Sequence, residues 1–249
     1  MTKKILITGA NGQLGHEMRN ALKGNNRFEC IFTDVAELDI CNAEAVKQII
    51  ADNHIDYIVN CAAYTQVDKA EDNAELCKKI NTDAVENLAR AAADYGARMI
   101  HISTDYVFNG RGYRPYTEDM VPDPQSVYGS TKLEGEKILT DICPESIIIR
   151  TAWLYSPYGN NFVKTMLHLG EEREELSVVA DQIGTPTCAA DLAQAILVIL
   201  QADTFVPGTY HFSDEGVCSW YDFTVTIHRL AGITTCRAVS YTHLRAHET

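Results

Sequence analysis

A chain of 249 residues, 46% hydrophobic and 22% charged, has the make-up of an ordinary globular protein with enough core for one large or two modest domains. Its formal net charge of −13 argues against nucleic acid or an anionic membrane as partner, although a few backbone N–H groups can still hold a phosphate. Eight scattered cysteines without a C-x-x-C pair, no His pair at zinc spacing and no leading export signal point to a reduced, cytoplasmic protein with no metal site.

Ile5-Leu-Ile7 predicts a short strand running into a glycine turn, and residues 13–22, apolar at Leu14, Met18 and Leu22, predict a helix. A second strand is expected over 28–32, ending at Asp34, then a helix over 43–51 capped by Asn42 and a third strand over 57–59. One long helix over 72–95 and a fourth strand over 98–102 follow. A loop rich in Gly, Pro, Asp and Tyr fills 109–126, before a helix carrying Tyr128 and Lys132 and a buried strand over 146–150. This alternation predicts an α/β fold, a doubly wound parallel sheet whose strand C-termini share one edge.

Beyond Trp153 the rhythm loosens into helices near 161–169 and 190–200, strands near 177–179 and 207–212, and a helix-like 221–230. The expected organisation is therefore a dinucleotide-binding domain over 1–150, to which later segments return, and a smaller substrate-binding lobe over 151–237. Residues 238–249 show neither helical nor strand periodicity and read as a foreign tail.

Gly9, Gly12 and Gly15 follow a strand and open a helix, the context in which such glycines admit a tight turn and close approach to a pyrophosphate. Asp34 ends the second strand, where an acid can hold an adenosine ribose hydroxyl, and no arginine follows it to favour a 2′-phosphate. Cys61-Ala-Ala-Tyr64 offers small residues against which a dinucleotide can lie, or simply close helix packing. Asn81 reads as a site residue or as a satisfied polar group of its helix. Thr104 alone is more often a capping hydroxyl than a catalyst. Tyr128-Gly-Ser-Thr-Lys132 places a phenol and an ammonium one helical turn apart, and a nearby ammonium draws a phenol toward phenolate.

The segments Thr8-Gly-Ala-Asn-Gly-Gln-Leu-Gly15, Asn60-Cys-Ala-Ala-Tyr-Thr-Gln-Val-Asp68, Ser103-Thr-Asp-Tyr-Val-Phe108 and Tyr128-Gly-Ser-Thr-Lys132 together resemble the extended short-chain dehydrogenase/reductases. Arg150-Thr-Ala-Trp-Leu-Tyr155, Asn161-Phe-Val163 and Asp181-Gln-Ile-Gly-Thr-Pro-Thr187 carry the resemblance into the lobe, from about Lys3 to Cys236. It implies a Rossmann-like fold and NADPH- or NADH-dependent reduction of the C4 ketone of dTDP-4-dehydro-L-rhamnose. Thr104, Tyr128 and Lys132 would be catalytic. Gly9, Asn11, Gly12, Gln13, Leu14, Gly15, Asp34, Asp39, Ile40, Ala62, Ala63 and Tyr64 would line the cofactor, and Val67, Asp105, Tyr106, Trp153 and Asn161 the nucleotide sugar. An epimerase or dehydratase that recycles bound NAD, or a non-catalytic relative that binds methionine adenosyltransferase, would share the scaffold. Such proteins normally continue well past residue 237, so the lobe is expected to be truncated. The resemblance leaves room for a homodimer, but His16 and Cys188-Ala-Ala-Asp191 give no reason to carry over the magnesium that bridges some relatives.

Overall fold

The computed structural model describes residues 2–242. β1 (Lys3–Thr8) turns through glycines into α1 (Gln13–Ala21), and β2 (Phe28–Thr33) leads to α2 (Ala43–Asn53), whose cap Asn42 accepts the Ala45 N–H at 3.1 Å. β3 (Tyr57–Asn60) precedes α3 (Val67–Asp72), α4 (Ala74–Lys78), a π-helical turn (Lys79–Asp83) and α5 (Ala84–Tyr95). β4 (Arg98–Thr104), a 3-10 turn (Asp105–Val107), α6 (Val127–Ile142) and β5 (Ile147–Thr151) come next. The remainder comprises β6 (Leu154–Tyr155), α7 (Phe162–Glu172), β7 (Glu175–Val179), β8 (Ile183–Gly184), β9 (Thr187–Cys188), α8 (Ala189–Gln201), β10 (Gly208–His211), β11 (Cys218–Ser219), α9 (Trp220–Ala231) and β12 (Arg237–Tyr241).

Six strands form one sheet in the order β10-β5-β4-β3-β1-β2, every neighbouring pair parallel. Strands buried on both faces read as near-continuous apolar runs, such as Ile5-Leu-Ile7 and Ile147-Ile-Ile149. One face packs Ile5, Ile7 and Ile149 against Leu14 and Met18 of α1 and Leu192 and Ile196 of α8. The other packs Leu6, Ile58 and Ile148 against α2, α5 and α6. The doubly wound sheet is thus present, and its β1, β3 and β4 C-termini lie side by side. The expected strand at 207–212 is the edge strand β10 of this same sheet. A second cluster, Leu176, Val178 and Cys236 with Phe162, Leu169 and Trp220, centres the lobe. Among the described residues no helix is long and apolar enough to cross a membrane.

Two local expectations change. The single helix expected over 72–95 is three pieces. Asn73 leaves helical geometry at φ −128°, and the extra residue of the π-helical turn rotates the chain at Lys79–Asp83. That rotation turns Asn81 inward, where its amide accepts the Tyr64 N–H at 2.8 Å and donates to the Tyr64 carbonyl at 3.1 Å. At the other end, Ala238 to Tyr241 do not run free of structure but pair in parallel with β7. The rest of the expected foreign tail, from 243 onward, lies outside the described residues.

Candidate active site

Where β1 ends, Gly9 takes φ +64°, and a Cβ there would stand 2.7 Å from the Ala62 nitrogen at the end of β3. A Cβ on Gly15 would stand 2.3 Å from the Gly9 carbonyl oxygen. These contacts leave a cradle of bare backbone across two adjacent strand ends. Gly12 caps α1 without any side-chain hydrogen bond, and the first turn holds no acid. The helix start therefore keeps its N–H groups and positive dipole end for an external anion, which fits a dinucleotide pyrophosphate. Gly15→Ala is accordingly expected to weaken NADPH binding at least ~10-fold while secondary structure persists, since overpacking of this size costs about 1–3 kcal/mol. Fluorescence titration of NADPH, with circular dichroism alongside, checks it.

The other expected cofactor residues surround the cradle. Asp34 accepts the Asn11 N–H at 2.9 Å with one carboxylate oxygen and the Val35 N–H at 2.9 Å with the other, tying β2 to the glycine turn. Asp39 accepts the Cys41 N–H, and buried Ile40 offers its carbonyl to Asn87. The Leu14 side chain packs in the core, leaving only its backbone for a ligand. Gln13 reaches the lobe instead, accepting from the Asn161 amide at 2.9 Å. Ala62 and Ala63 follow β3, and Asn81 holds Tyr64 beyond them.

Thr104 ends β4, donates to Asp105 Oδ1 at 3.1 Å and accepts the Tyr106 N–H at 3.2 Å. Ser126 caps α6 through the Gly129 N–H, setting Tyr128 in the first turn. A Cβ on Gly129 would lie 2.2 Å from the Tyr106 carbonyl oxygen, so glycine lets the 3-10 turn press onto α6 and brings Tyr106 edge-on to Tyr128 at 5.5 Å. Lys132 is buried one turn further on. Its amine donates to the Ile102 carbonyl at 2.7 Å and meets His101 Nε2 at 3.2 Å. Burial pulls Lys132 down to about 8, against the Glu136 carboxylate. Burial also pushes the Tyr128 phenol well above its ordinary value, and the Thr104 hydroxyl pulls it partly back. The expectation that Lys132 draws the phenol toward working pH is therefore not met. Its amine turns to β4, and desolvation of the phenolate outweighs other influences.

The expected sugar-binding residues divide into two groups. Val67 opens α3 and packs with Tyr64 and Tyr128, while Asp105 and Tyr106 stand beside Thr104. Burial lifts Asp105 to about 6. A carboxylate raised in this way opposes folding in full above about 6, and the penalty fades as pH falls from there to the ordinary value of 3.8, below which both states hold the proton. Asp105→Asn should therefore raise the melting temperature at pH ~8, by up to about 2 kcal/mol of stability, and give no gain near pH ~4. Trp153 takes φ +47°, lies under Gly184 and stacks on Trp220 at 3.4 Å. Asn161 caps α7, and its amide is shared among Gln13, the Ser156 carbonyl and the Lys164 N–H. It links the glycine turn to the lobe.

Three features escaped the sequence reading. His101 interrupts the apolar run of β4, a polar residue inside a buried strand that could have drawn notice. Trp220 is joined to Trp153 only by tertiary folding. Glu136 and Arg150 form a buried ion pair at 2.6 Å behind Lys132, with the guanidinium over Phe108; the four-residue step from Lys132 to Glu136 was the available signal.

A parallel sheet with a glycine cradle, and a Thr-Tyr-Lys group at the neighbouring strand end, define an extended short-chain dehydrogenase/reductase. The family model described as RmlD substrate binding domain matches residues 3–248, and the chain belongs to that family. It is 44% identical over 228 residues to a dTDP-4-dehydrorhamnose reductase of Aggregatibacter actinomycetemcomitans, covering 90% of this chain and 78% of that protein. A dTDP-4-dehydrorhamnose reductase structure from Clostridium acetobutylicum superposes with TM-score 0.92 at 50% identity, covering 96% of this chain and 84% of the other. A Bacillus anthracis dTDP-4-dehydrorhamnose reductase solved with NADP gives TM-score 0.93 at 42% identity, covering 97% and 85%.

Proposed function

We propose that this chain reduces the C4 ketone of dTDP-4-dehydro-L-rhamnose to give dTDP-L-rhamnose, using NADPH or NADH. The observation that carries the reading is Thr104, Tyr128 and Lys132 gathered beside the glycine cradle, in a chain whose named relatives are dTDP-4-dehydrorhamnose reductases. When bound, the nicotinamide supplies a hydride for the carbonyl carbon. Tyr128 delivers the proton to the carbonyl oxygen, and burial keeps its phenol protonated at neutral pH before that step. Thr104 orients that oxygen. Lys132 steadies the phenolate left behind and reaches the nicotinamide ribose.

Gly9, Asn11, Gly12, Gln13 and Gly15, with Ala62, Ala63 and Tyr64, form the cofactor side of this reading, and the Leu14 backbone joins them. Asp34, Asp39 and Ile40 flank the adenosine end. Val67, Asp105, Tyr106 and Trp153 line the sugar side, with Asn161 supporting Gln13. The eight free cysteines agree with a cytoplasmic location. Sedimentation of the full chain tests the homodimer that the resemblance allows.

The test is absorbance at the reduced-nicotinamide band after mixing the chain with the ketosugar. One NADPH or NADH consumed per sugar is expected. Conversion of a nucleotide sugar without net consumption would replace the reductase reading with an epimerase-like one.

A further inference from the structure

Trp153 holds a backbone conformation that its residue type does not favour. β5 ends at Thr151, whose register partner on β4 is Thr104, so Trp153 stands two residues beyond the strand end that faces the reacting group. There it takes φ +47°, in the left-handed region, where a bulky side chain is a marked outlier. Glycine would make the same turn without strain, and a strained residue persists only where its surroundings over-determine it. The Thr187 N–H donates to the Trp153 carbonyl at 3.2 Å. Gly184 of β8 leaves room for the indole: a Cβ there would press into it, 2.8 Å from Trp153 Nε1. Trp220 covers one indole face, with ring centroids 3.4 Å apart and planes 10° from parallel. Unconstrained aromatic rings prefer offset or edge-on pairs, so the packing around Trp220 imposes this one. Trp220 opens α9 behind the reciprocal cap of Ser219 and Asp222, its Nε1 donates to Gln182 Oε1 at 3.2 Å, and Phe162 lies against it at 4.4 Å. Its remaining neighbours are the core of the lobe.

We propose that Trp220 and Gly184 are positioning residues for the ketosugar: they hold Trp153 as an apolar wall beside Thr104, against which the hexose rests. The proposal depends on the nucleotide sugar assigned under the reductase reading above. Trp220 belongs to the lobe and Trp153 to the strand end, so the stack fixes the distance between the lobe and the reacting carbonyl. The wall also suits a deoxygenated sugar. An indole face offers a hydroxyl no full hydrogen bond, and a hydroxyl buried against it would be left unpaired. A 6-deoxyhexose presents a methyl group where other hexoses carry that hydroxyl, and gains from the contact what any buried apolar group gains. The glycine cradle is built at the ends of β1 and β3 and the start of α1, so the wall bears on the sugar and not on the dinucleotide.

The test compares dTDP-L-rhamnose with dTDP, which differ only by the hexose, in calorimetric titrations of the full chain. The wild type should bind the sugar nucleotide more tightly than dTDP. Trp220→Ala removes the support behind Trp153. Gly184→Ala displaces the indole from the other side and leaves Trp220 in the lobe core. Each should weaken dTDP-L-rhamnose about tenfold and shift dTDP and NADPH by less than about twofold. Trp220→Phe keeps a flat ring and should recover most of the loss. The two tryptophans of the chain are this pair, so their stacking gives an exciton couplet in far-ultraviolet circular dichroism, and the couplet should weaken in Gly184→Ala. A merely structural role would weaken all three ligands alike. Equal losses for dTDP and dTDP-L-rhamnose, or a wild-type preference for the sugar nucleotide retained in both alanine variants, would overturn the proposal. A chain that shows the expected pattern of binding yet does not oxidise NADPH with the ketosugar would keep the wall and sink only the reductase reading.

Discussion

Tyr128→Phe is expected to lower kcat by ~10²–10⁴-fold while leaving NADPH affinity within about twofold, because a positioned proton donor supplies about that much rate. The change removes one oxygen from a buried ring. Phe keeps the packing against Ala70, Cys77 and Val67 and the edge contact with Tyr106. It leaves the Thr104 hydroxyl its bonds to Asp105 Oδ1 and the Tyr106 N–H. The glycine cradle lies on other elements, at the ends of β1 and β3 and the start of α1. Stopped-flow turnover with fluorescence titration of NADPH separates the two quantities. Wild-type turnover would remove Tyr128 from the chemistry. A matching loss of NADPH affinity would make it a binding residue instead.

The second large effect concerns stability. Glu136→Met should destabilise the fold by about 3–5 kcal/mol, because removing one partner of a buried pair strands the other charge. Arg150 is buried, donates to both Glu136 oxygens through Nε and Nη2, and already has Nη1 unpartnered. Among the described residues no other carboxylate lies within ion-pair distance of it. For a chain of this size the melting temperature should fall by roughly 10 °C. The double change Glu136→Met with Arg150→Met should recover most of the loss, since apolar residues of similar volume often replace a buried pair at little cost. Thermal unfolding of the two variants beside the wild type checks the pattern. Equal losses in the single and double variants would show that packing, not the stranded charge, sets the penalty.

The parallel sheet was legible because its signals are local. Ile5-Leu-Ile7 and Ile147-Ile-Ile149 are β-branched runs, and the glycines after β1 mark a turn only a bare backbone can make. The Tyr128–Lys132 step fixed the helical face but not the direction of the Lys132 amine, which depends on His101 and Ile102, 31 and 30 residues earlier in the chain. Burial of the phenol itself, invisible in the four-residue spacing, raises its proton affinity where the sequence suggested a lowered one. The break at Asn73 and the π-helical turn were hidden because apolar spacing continues across them, and only the clamp of Asn81 on Tyr64 explains the extra residue. Residues 238–241 lack alternation, yet they form β12 because β7 offers a partner edge. The stacking of Trp153 on Trp220 is a tertiary event with no local signature.

Hydride delivery to the C4 carbon of the ketosugar leaves an isotopic mark that can be read in the product. NADPH carrying deuterium on the transferred side of the nicotinamide is mixed with dTDP-4-dehydro-L-rhamnose and the chain, and the product is read by proton NMR. The expected product is dTDP-L-rhamnose with deuterium at C4, with one equivalent of NADPH oxidised. Product without deuterium at C4, or label at another carbon, would contradict hydride delivery to that carbon.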